Sequence, residues 1–421
     1  MHLQLAHVAE QEDLDEFTLL ATSAGAEVVG VVEGRRVRPD SATYVGSGKT
    51  EALRELVAAT GADVVLVNAA LSPAQERNLE KAVAARVLDR TGLILDIFAQ
   101  RAHSHEGQLQ VELAQLEHLA TRLVRGWTHL ERQKGGIGLR GPGETQLESD
   151  RRLIGERIRA LHRRLDRVRR QRNERRRSRA RSVTPTVALV GYTNAGKSSL
   201  FNALTGAGVY AADRLFATLD PTMRRVALPN RSAMILADTV GFIRHLPHGL
   251  VAAFRSTLEE VRFADLLLHV VDAGHPEQRE YQEHVERVLA EIGADSVPRL
   301  TVMNKIDVTG ERARIESHGA VTRVFVSART GTGIDLLKEV VGARIQPERA
   351  RAVVRLPLTE GRLRAHLYGL GTVLNETVDG DDLLVTLTLS REQSRALAVE
   401  QGVQTTFLPD ESGPEAALGG L

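Results

Sequence analysis

The chain of 421 residues contains no cysteine, which excludes disulfides, cysteine-based zinc sites and thiol catalysis. No apolar run approaches the roughly 20 residues that a helix needs to cross a bilayer. The first residues also lack the basic segment and the apolar core that make up a signal peptide. Together these absences predict a soluble cytoplasmic protein.

Positive and negative charges are nearly equal in number, but their distribution along the chain is uneven. The formal net charge is +1, whereas residues 151–181 contain fifteen arginines, no lysine and three acidic residues. A guanidinium group matches the geometry of phosphate better than an ammonium group does. This segment therefore favours binding to nucleic acid, and a solvated helix face is the alternative.

The chain is long enough for two to four domains at roughly 150 residues per domain. The order of apolar runs and breaks predicts four consecutive parts. Residues 1–104 are predicted to form a small α/β domain and residues 105–182 a helical hairpin. Residues 183–347 are predicted to form a doubly wound α/β domain, and residues 348–421 a small α+β domain.

Local patterns place several elements within the first and last parts. Residues 28–32 and 63–67 are apolar and rich in valine, which predicts two buried strands of a parallel sheet, and residues 72–85 are predicted to be a helix capped by Ser72. The last part is predicted to contain a helix, a strand and a second helix, at residues 360–368, 383–389 and 392–401.

Apolar residues recur at intervals of four and three in two stretches of the second part. They are Leu109, Leu113, Leu116, Ala120 and Leu123, followed by Ile154, Ile158, Leu161, Leu165 and Val168. The spacing predicts two long helices packed as an antiparallel hairpin. Residues 135–143 contain five glycines and one proline, which predicts a non-helical tip, and residues 145–148 resemble a capping box that opens the second helix.

Residues 191–198 match the pattern G-x-x-x-x-G-K-S of a phosphate-binding loop. They lie between a predicted strand at residues 186–190 and a predicted helix at residues 198–204, which is the context that such a loop requires. Lys197 is predicted to reach the β and γ phosphates, and Ser198 to bind Mg²⁺. The predicted nucleotide-binding residues of the loop are Gly191, Tyr192, Thr193, Asn194, Ala195, Gly196, Lys197, Ser198 and Ser199.

Three further motifs follow predicted strands in the order that a guanine nucleotide site requires. They are Asp238, Thr239, Val240 and Gly241; Asn304, Lys305, Ile306 and Asp307; and Ser327 with Ala328. Asp238 is predicted to hold the Mg²⁺ shell through water, and the Gly241 amide to sense the γ-phosphate. Asp307 would accept hydrogen bonds from N1 and the 2-amino group of guanine, and adenine offers neither donor.

The chain resembles the HflX family of ribosome-associated P-loop GTPases. Beyond the nucleotide motifs, the resemblance rests on the segments GGIGLRGPGETQL at residues 135–147, FATLDP at residues 216–221 and DTVGFIRHLP at residues 238–247. It covers nearly the whole chain. It implies a P-loop GTPase domain with a doubly wound sheet, preceded by an α/β domain with a long helical hairpin and followed by the small α+β domain.

The resemblance also implies roles in the nucleotide site. The expected residues of switch I are Phe216, Ala217, Thr218, Leu219 and Asp220. Thr218 is expected to close over Mg²⁺ and the γ-phosphate, and Thr222 in the same segment is a rival for that role. The expected catalytic residues are Lys197, Thr218 and Gly241, and the expected metal ligands are Ser198 and Thr218.

The family resemblance further implies that the N-terminal domain, the hairpin and its tip dock on the large ribosomal subunit and its rRNA. The GTP-bound protein would separate stalled or idle ribosomes into subunits, and hydrolysis would release it. One alternative is a GTPase that acts in rRNA or tRNA maturation or in ribosome assembly, and another is a passive RNA-binding protein with a structural G domain. A monomer with no membrane span and no DNA partner is expected.

One residue departs from the pattern of Ras-like enzymes, in which a glutamine after the Asp-x-x-Gly motif orients the attacking water. Phe242 occupies this position. Our hypothesis is that its ring turns away, that intrinsic hydrolysis is slow, and that rRNA or a cation completes the site. Asn194 resembles the asparagine that binds K⁺ in cation-dependent GTPases, so K⁺ is a possible second cofactor.

Residues 46–50 (GSGKT) imitate the end of a second phosphate-binding loop. Thr43, rather than a glycine, stands five positions before Gly48, so the loop is incomplete. The sequence therefore favours a structural turn here, and a second nucleotide site that also takes ATP is the alternative.

Overall fold

The structure is a computed structural model that describes most of the chain. The described residues are 1–5, 14–126, 142–179, 184–206, 215–216, 218–229, 233–244, 255–318, 321–345, 349–370, 372–390 and 404–408. The chain divides into two compact units, Met1–Lys338 and Glu339–Leu421. No helix within the described ranges is long and apolar enough to cross a membrane.

The beginning of the first unit alternates strands and helices, and its strands pair in parallel. The elements are β1 (His2–Leu5), α1 (Leu14–Ser23), β2 (Glu33–Arg36), α2 (Ser47–Thr60), β3 (Val64–Val67), α3 (Pro73–Val83), β4 (Arg86–Asp89) and α4 (Arg90–Arg101). Among the described residues, β1 pairs with β2 and β3 with β4, which makes two small parallel sheets rather than one. Ser72 caps α3 through a reciprocal pair of hydrogen bonds with Gln75, which confirms the predicted start of that helix.

The strand predicted at residues 28–32 is wrong, because this segment is irregular and the strand β2 begins only after it. Val28, Val29 and Val31 are 40%, 52% and 46% exposed. A β-branched side chain favours a strand because it packs on a pleated, partly buried surface, and these side chains stay exposed to a large extent. The apolar run alone therefore overstated the tendency of the segment to pair.

Of residues 46–50, Gly46 is the N-cap of α2 and the other four form its first turn. Gly46 precedes the helix with a φ of 81°, and the Thr50 hydroxyl donates to the Gly46 carbonyl over 2.9 Å. The Arg36 guanidinium occupies the place that a side chain at residue 46 would need. Because the hydroxyl of Thr50 is used within the helix, these contacts favour the structural turn.

Two long helices, α5 (His105–Gly126) and α6 (Pro142–Arg179), follow and pack against each other. Their contact contains buried leucines of the predicted stripes, Leu109, Leu113, Leu161 and Leu165. The predicted opening of the second helix at residues 145–148 is wrong, because α6 already begins at Pro142. Proline suits the first turn of a helix, where its missing N–H would have no partner anyway. The glycine-rich residues 135–141 lie outside the described residues.

The rest of the first unit is built on a seven-stranded sheet. Its elements are β5 (Thr186–Val190), α7 (Lys197–Thr205), β6 (Thr222–Ala227), β7 (Ala233–Asp238), α8 (Arg255–Arg262), β8 (Leu266–Asp272), α9 (Gln278–Glu291), β9 (Arg299–Asn304), α10 (Ile306–Thr309), β10 (Arg314–His318), β11 (Val321–Phe325) and α11 (Ile334–Ile345). The strand order is β10-β11-β9-β8-β5-β7-β6. The five central strands are parallel and the two edge strands antiparallel, so the carboxyl ends of the central strands meet at one edge.

The boundary between the units falls within α11, and beyond the end of that helix the second unit contains an antiparallel four-stranded sheet and one further described helix. The elements are β12 (Arg349–Pro357), α12 (Gly361–Leu370), β13 (Thr372–Asp379), β14 (Asp382–Ser390) and β15 (Gln404–Leu408), with the strand order β13-β14-β12-β15. The predicted helix at residues 360–368 and the predicted strand at residues 383–389 are present. The helix predicted at residues 392–401 lies outside the described residues.

Candidate nucleotide-binding site

A cavity of about 590 Å³ opens at the carboxyl edge of the seven-stranded sheet. Open α/β sheets bind their ligands at this edge, because the loops that leave the parallel strands converge there. The predicted nucleotide-binding residues that line the cavity are Thr193, Asn194, Gly196, Lys197, Ser198, Ser199, Phe216, Thr218, Thr239, Gly241, Asn304, Lys305, Asp307 and Ala328. Segments that are more than a hundred residues apart in sequence thus share one cavity.

The loop after β5 adopts its shape through two glycines. Gly191 has a φ of 148°, and a Cβ atom there would lie 2.3 Å from the carbonyl oxygen of Val270. Gly196 has a φ of 90°, and a Cβ atom there would lie 2.2 Å from the amide nitrogen of Asn304. Only glycine fits both the dihedral angles and the space, so the loop can wrap closely around the N-terminus of α7.

Lys197 is a buried cation at the floor of the cavity. Its ammonium group donates to the carbonyl oxygens of Gly191 and Tyr192 over 3.0 and 2.6 Å. Burial lowers the pKa of Lys197 to about 8, and the charge of nearby Asp238 opposes this shift. Because two neutral carbonyls compensate a buried charge poorly, the side chain is suited to an anionic group of a ligand.

Two hydroxyls and one carboxylate meet beside this lysine. The Thr218 hydroxyl donates to Asp238 Oδ2 over 2.8 Å, and Ser198 Oγ lies 2.8 Å from Thr218 Oγ1. Burial raises the pKa of Asp238, and the hydrogen bond from Thr218 opposes the rise. Asp238 Oδ1 is buried without a hydrogen-bond partner among the described residues. The cluster therefore offers oxygen donors and a free acceptor atom, as a site for a hard cation does.

Phe242 is joined to the phosphate loop by two backbone hydrogen bonds. Its N–H donates to the Gly191 carbonyl over 3.1 Å, and its carbonyl accepts from the Thr193 N–H over 2.7 Å. The ring is 2% exposed and belongs to the main hydrophobic core. As our hypothesis requires, the ring points away from the cavity, so this residue offers no side-chain group that could orient a water.

Asn304 connects the loop to the segments predicted to bind the base. Its side chain donates to the Ala195 carbonyl over 3.0 Å and accepts from the Ala328 N–H over 2.9 Å. The Ser327 hydroxyl donates to Asp307 over 2.6 Å, which orients that carboxylate at the cavity wall. The base-binding motifs are therefore held together by their own hydrogen bonds.

The remaining predicted residues have different surroundings. Gly191, Ala195, Asp238, Ile306 and Ser327 stand behind the lining of the cavity in the same segments. Leu219 and Val240 are core residues, Tyr192 and Asp220 contact the N-terminal part of the chain, and Ala217 lies outside the described residues. The sequence motifs did not include Val308 and Arg329, which also line the cavity and directly follow Asp307 and Ala328.

A buried polar network behind the loop had no signal in the sequence. The Tyr192 hydroxyl donates to Glu16 and accepts from the Arg244 N–H over 2.9 Å. Arg90 forms an ion pair with Glu16 and donates to the Arg244 carbonyl over 3.2 Å. Burial and the charge of Glu16 raise the pKa of Tyr192, so the hydroxyl stays a donor. The network joins α1 and α4 to the phosphate loop.

The strand order, the glycine-shaped loop before α7, the buried lysine and the hydrogen bonds that join the motifs predicted to bind the base define a P-loop GTPase. Family models agree: residues 11–99 match the N-terminal region and residues 101–179 the middle region of a GTP-binding GTPase, and residues 186–305 match a 50S ribosome-binding GTPase. The chain belongs to the HflX family of GTPases, and it is a GTP hydrolase.

Individual relatives are similar over nearly their full length. GTPase HflX of Escherichia coli K12 is 56% identical over 384 residues, which cover 90% of this chain and 90% of that protein. GTPase HflX of Magnetococcus marinus is 49% identical over 413 residues, which cover 95% and 94%. A crystal structure of a GTP-binding protein from Sulfolobus solfataricus in complex with GDP has 24% identity and a TM-score of 0.46, with 82% of this chain and 97% of that chain covered.

Proposed function

We propose that the protein binds the large ribosomal subunit and its rRNA through its arginine-rich helix and, with GTP bound, separates stalled or idle ribosomes into subunits. Hydrolysis of GTP then releases the protein. Membership of a ribosome-associated GTPase family supports this proposal. The observation that carries it is the set of exposed arginines on α6.

The arginines of α6 whose side chains the structure describes are all exposed: Arg151, Arg152, Arg157, Arg159, Arg163, Arg164, Arg167 and Arg170. Within the described residues, only Arg152 and Arg157 of this set form ion pairs with acids. The exposed guanidinium groups lie along one long helix. Such a helix suits sequence-independent contact with the phosphates of RNA.

Gradient sedimentation of intact ribosomes tests the proposal directly. With GTP or a non-hydrolysable analogue the ribosomes should separate into subunits, and with GDP they should stay intact. The protein should remain on the large subunit with the analogue and leave it after turnover of GTP. If the protein sediments with ribosomes or subunits without separating them in any nucleotide state, a role in ribosome assembly or RNA maturation replaces the proposal.

A pair of charge reversals tests the contact through α6. If ~6 phosphates are contacted, the slope of log affinity against log salt is roughly −4 to −5. Replacing both Arg163 and Arg164 by Glu should weaken binding to the subunit and flatten the slope by about two units. Arg224→Glu with Arg225→Glu is the matched control, because these two arginines are also adjacent and exposed, on β6. An equal loss in both variants would show that only the total charge matters.

We also propose that Mg²⁺ accompanies the nucleotide and is held by Ser198 and Thr218, with Asp238 behind them. The oxygen donors and the partnerless Asp238 Oδ1 fit this ion. When bound, Mg²⁺ would neutralise charge on the β and γ phosphates. Thr218→Val should raise the Mg²⁺ concentration needed for half-maximal hydrolysis. The same change at Thr222, the rival position on β6, should leave it unchanged, and the reverse result would reassign the ligand.

We further propose that K⁺ supports hydrolysis through Asn194. The exposed Asn194 side chain lines the cavity, whereas the Phe242 ring does not. A bound monovalent cation would add to the positive charge that Lys197 supplies in the site. Turnover should be faster in K⁺ than in Na⁺ at equal ionic strength, and Asn194→Ala should remove the difference. Equal turnover of the unaltered protein in both salts would contradict this assignment.

A further inference from the structure

Residues 215–216 and 218–220 (together the switch strap) contact the N-terminal part of the chain at three points that the structure describes. The Leu215 N–H donates to the Ser23 hydroxyl over 2.9 Å. The Phe216 ring meets the Phe98 ring edge to face, with centroids 4.6 Å apart. The Asp220 carboxylate is the third point of attachment, and it contacts the chain just before α5.

Asp220 serves as an additional cap for α5. Its Oδ2 accepts from the backbone N–H groups of His103 and Ser104 over 2.8 and 2.6 Å. Its Oδ1 accepts from the Ser104 hydroxyl, which itself accepts from the Gly107 N–H over 2.9 Å. A carboxylate at a helix N-terminus satisfies free N–H groups and interacts favourably with the helix dipole.

The contact leaves no spare room. A Cβ atom on Gly107 would lie 2.3 Å from Asp220 Oδ1 and 3.0 Å from the Ser104 hydroxyl. The carboxylate therefore lies against the first turn of α5 where a side chain at residue 107 would be. A shift of the strap away from α5 would break three hydrogen bonds at once.

The same strap carries Thr218 into the nucleotide site. Only Leu219 separates Thr218 from Asp220, and that residue is 2% exposed in the main core. The Cα atoms of two residues with one residue between them are at most ~7 Å apart. Thr218 therefore cannot move far while Asp220 stays in place. Thr218 on one side and the start of α5 on the other are thus linked by a short, anchored piece of chain.

We propose that Asp220 is a positioning residue for GTP hydrolysis, which holds Thr218 in the nucleotide site by anchoring the strap to the first turn of α5. When the bound nucleotide changes, the first turn of α5 then becomes more or less ordered as well. Asp220 does not touch the nucleotide in this role. The inference concerns hydrolysis and α5 itself, and it holds whether or not the protein separates ribosomes.

Two substitutions at this position separate anchoring from charge. Asp220→Ala removes all three hydrogen bonds, whereas Asp220→Asn keeps an acceptor for the backbone N–H groups and is nearly as good a cap. Asp265→Ala is the matched control, because this exposed carboxylate also accepts a backbone N–H, that of Thr186 over 2.7 Å, away from the strap. Each variant is assayed for kcat and KM of GTP hydrolysis in the full chain.

The expected result is a fall in kcat of about fivefold for Asp220→Ala, the rate equivalent of one lost cap, with a smaller change in KM. Asp220→Asn should recover most of the rate, and Asp265→Ala should behave like the unaltered protein. A loss that is equal in Asp220→Ala and Asp265→Ala, or a normal kcat in Asp220→Ala, overturns the proposal.

Hydrogen exchange supplies a readout that a merely stabilising cap would not change. In the unaltered protein, the amides of residues 103–107 should exchange at different rates with GDP and with a non-hydrolysable GTP analogue. In Asp220→Ala this nucleotide dependence should vanish while exchange elsewhere is retained, and its persistence overturns the proposal. If Asp220→Ala does not fold, Gly107→Ala, whose added methyl group displaces the carboxylate, takes its place with the same expected and contradicting results.

Discussion

At the scale of single residues, the phosphate loop combines a backbone that only glycine can adopt with side chains that have little freedom. Gly196 both turns the chain into α7 and leaves space for the Asn304 amide, which ties the loop to Ala328. The loop therefore carries strict steric requirements in addition to its chemical ones. A small side chain added at this position should harm binding more than it harms the fold.

Gly196→Ala should abolish measurable GTP binding, because its methyl group would displace the Asn304 side chain. Gly206→Ala is the control: Gly206 also has a positive φ, of 67°, but no atom lies within 4 Å of the added methyl group. Both changes should cost about 1–2 kcal/mol of backbone strain in thermal unfolding. Nucleotide titration should separate them, and equal loss of binding would show that strain alone is responsible.

His269 on β8 should make stability depend on pH. Burial lowers the pKa of His269 to about 4 from its usual 6.5, with the charges of Arg299 and Lys197 acting in the same direction. Between these values the unfolded chain binds more protons, so the free energy of unfolding should fall as pH falls, by at most about 3 kcal/mol. Denaturant unfolding at about pH 7 and about pH 5 should show a smaller fall for His269→Gln. Equal falls would rule out His269 as the source.

At the scale of elements, α1 and α4 are joined to the phosphate loop by a buried ion pair. Glu16 and Arg90 neutralise each other, and the Tyr192 hydroxyl completes the hydrogen bonds of the carboxylate. A buried pair of this kind contributes little net stability as a whole, but removing one member leaves an uncompensated charge. The protein is therefore destabilised unless α1 and α4 pack against the phosphate loop in a way that keeps the ion pair together.

Arg90→Met should lower the free energy of unfolding by roughly 3–5 kcal/mol, because Glu16 stays buried without its partner. The double variant with Glu16→Leu should lose less than the sum of the two single losses. Arg54→Met is the control, since its ion pair with Glu51 is exposed, and it should leave the denaturation midpoint unchanged. Additive losses in the double variant would contradict a coupled pair.

At the scale of the whole molecule, one core cluster of the first unit contains residues of α1, α4, the switch strap and the central sheet, and the described part of the unit also contains smaller clusters. The nucleotide cavity is lined only by residues of this unit among those that the structure describes. The second unit has its own core, formed by β12, α12 and β14. Division of the first unit at residues 104 and 182 into separately folding domains stays a prediction.

Removal of residues 346–421 should leave nucleotide binding and intrinsic hydrolysis close to those of the full chain, because the truncated protein retains the whole cavity and its supporting core. Turnover and circular dichroism of the truncated protein check this together. A truncated protein that is folded but inactive would show that the second unit acts on the site.

The sequence predictions are accurate where residues close together in the chain decide the structure of a segment, and they fail where distant residues decide it. The helix at Pro73–Val83 and the strand at Thr186–Val190 follow from caps and apolar runs within a few residues, and the predicted positions are close to the observed ones. Residues 28–32 have the same kind of apolar run and yet form no strand. The two segments differ in the surface against which they pack, and the β-propensity of their residues contains no information about that surface.

The sequence by itself determined that the chain is a P-loop GTPase, because each nucleotide-binding motif consists of residues that lie next to each other in the chain. Only the tertiary structure decided which neighbours these residues have. Tyr192 contacts Glu16 across 176 residues of sequence, and Asp220, which the sequence placed in the nucleotide site, contacts the chain at the start of α5. Such contacts depend on how distant elements pack, and no local pattern encodes the place where a side chain meets a partner from another element.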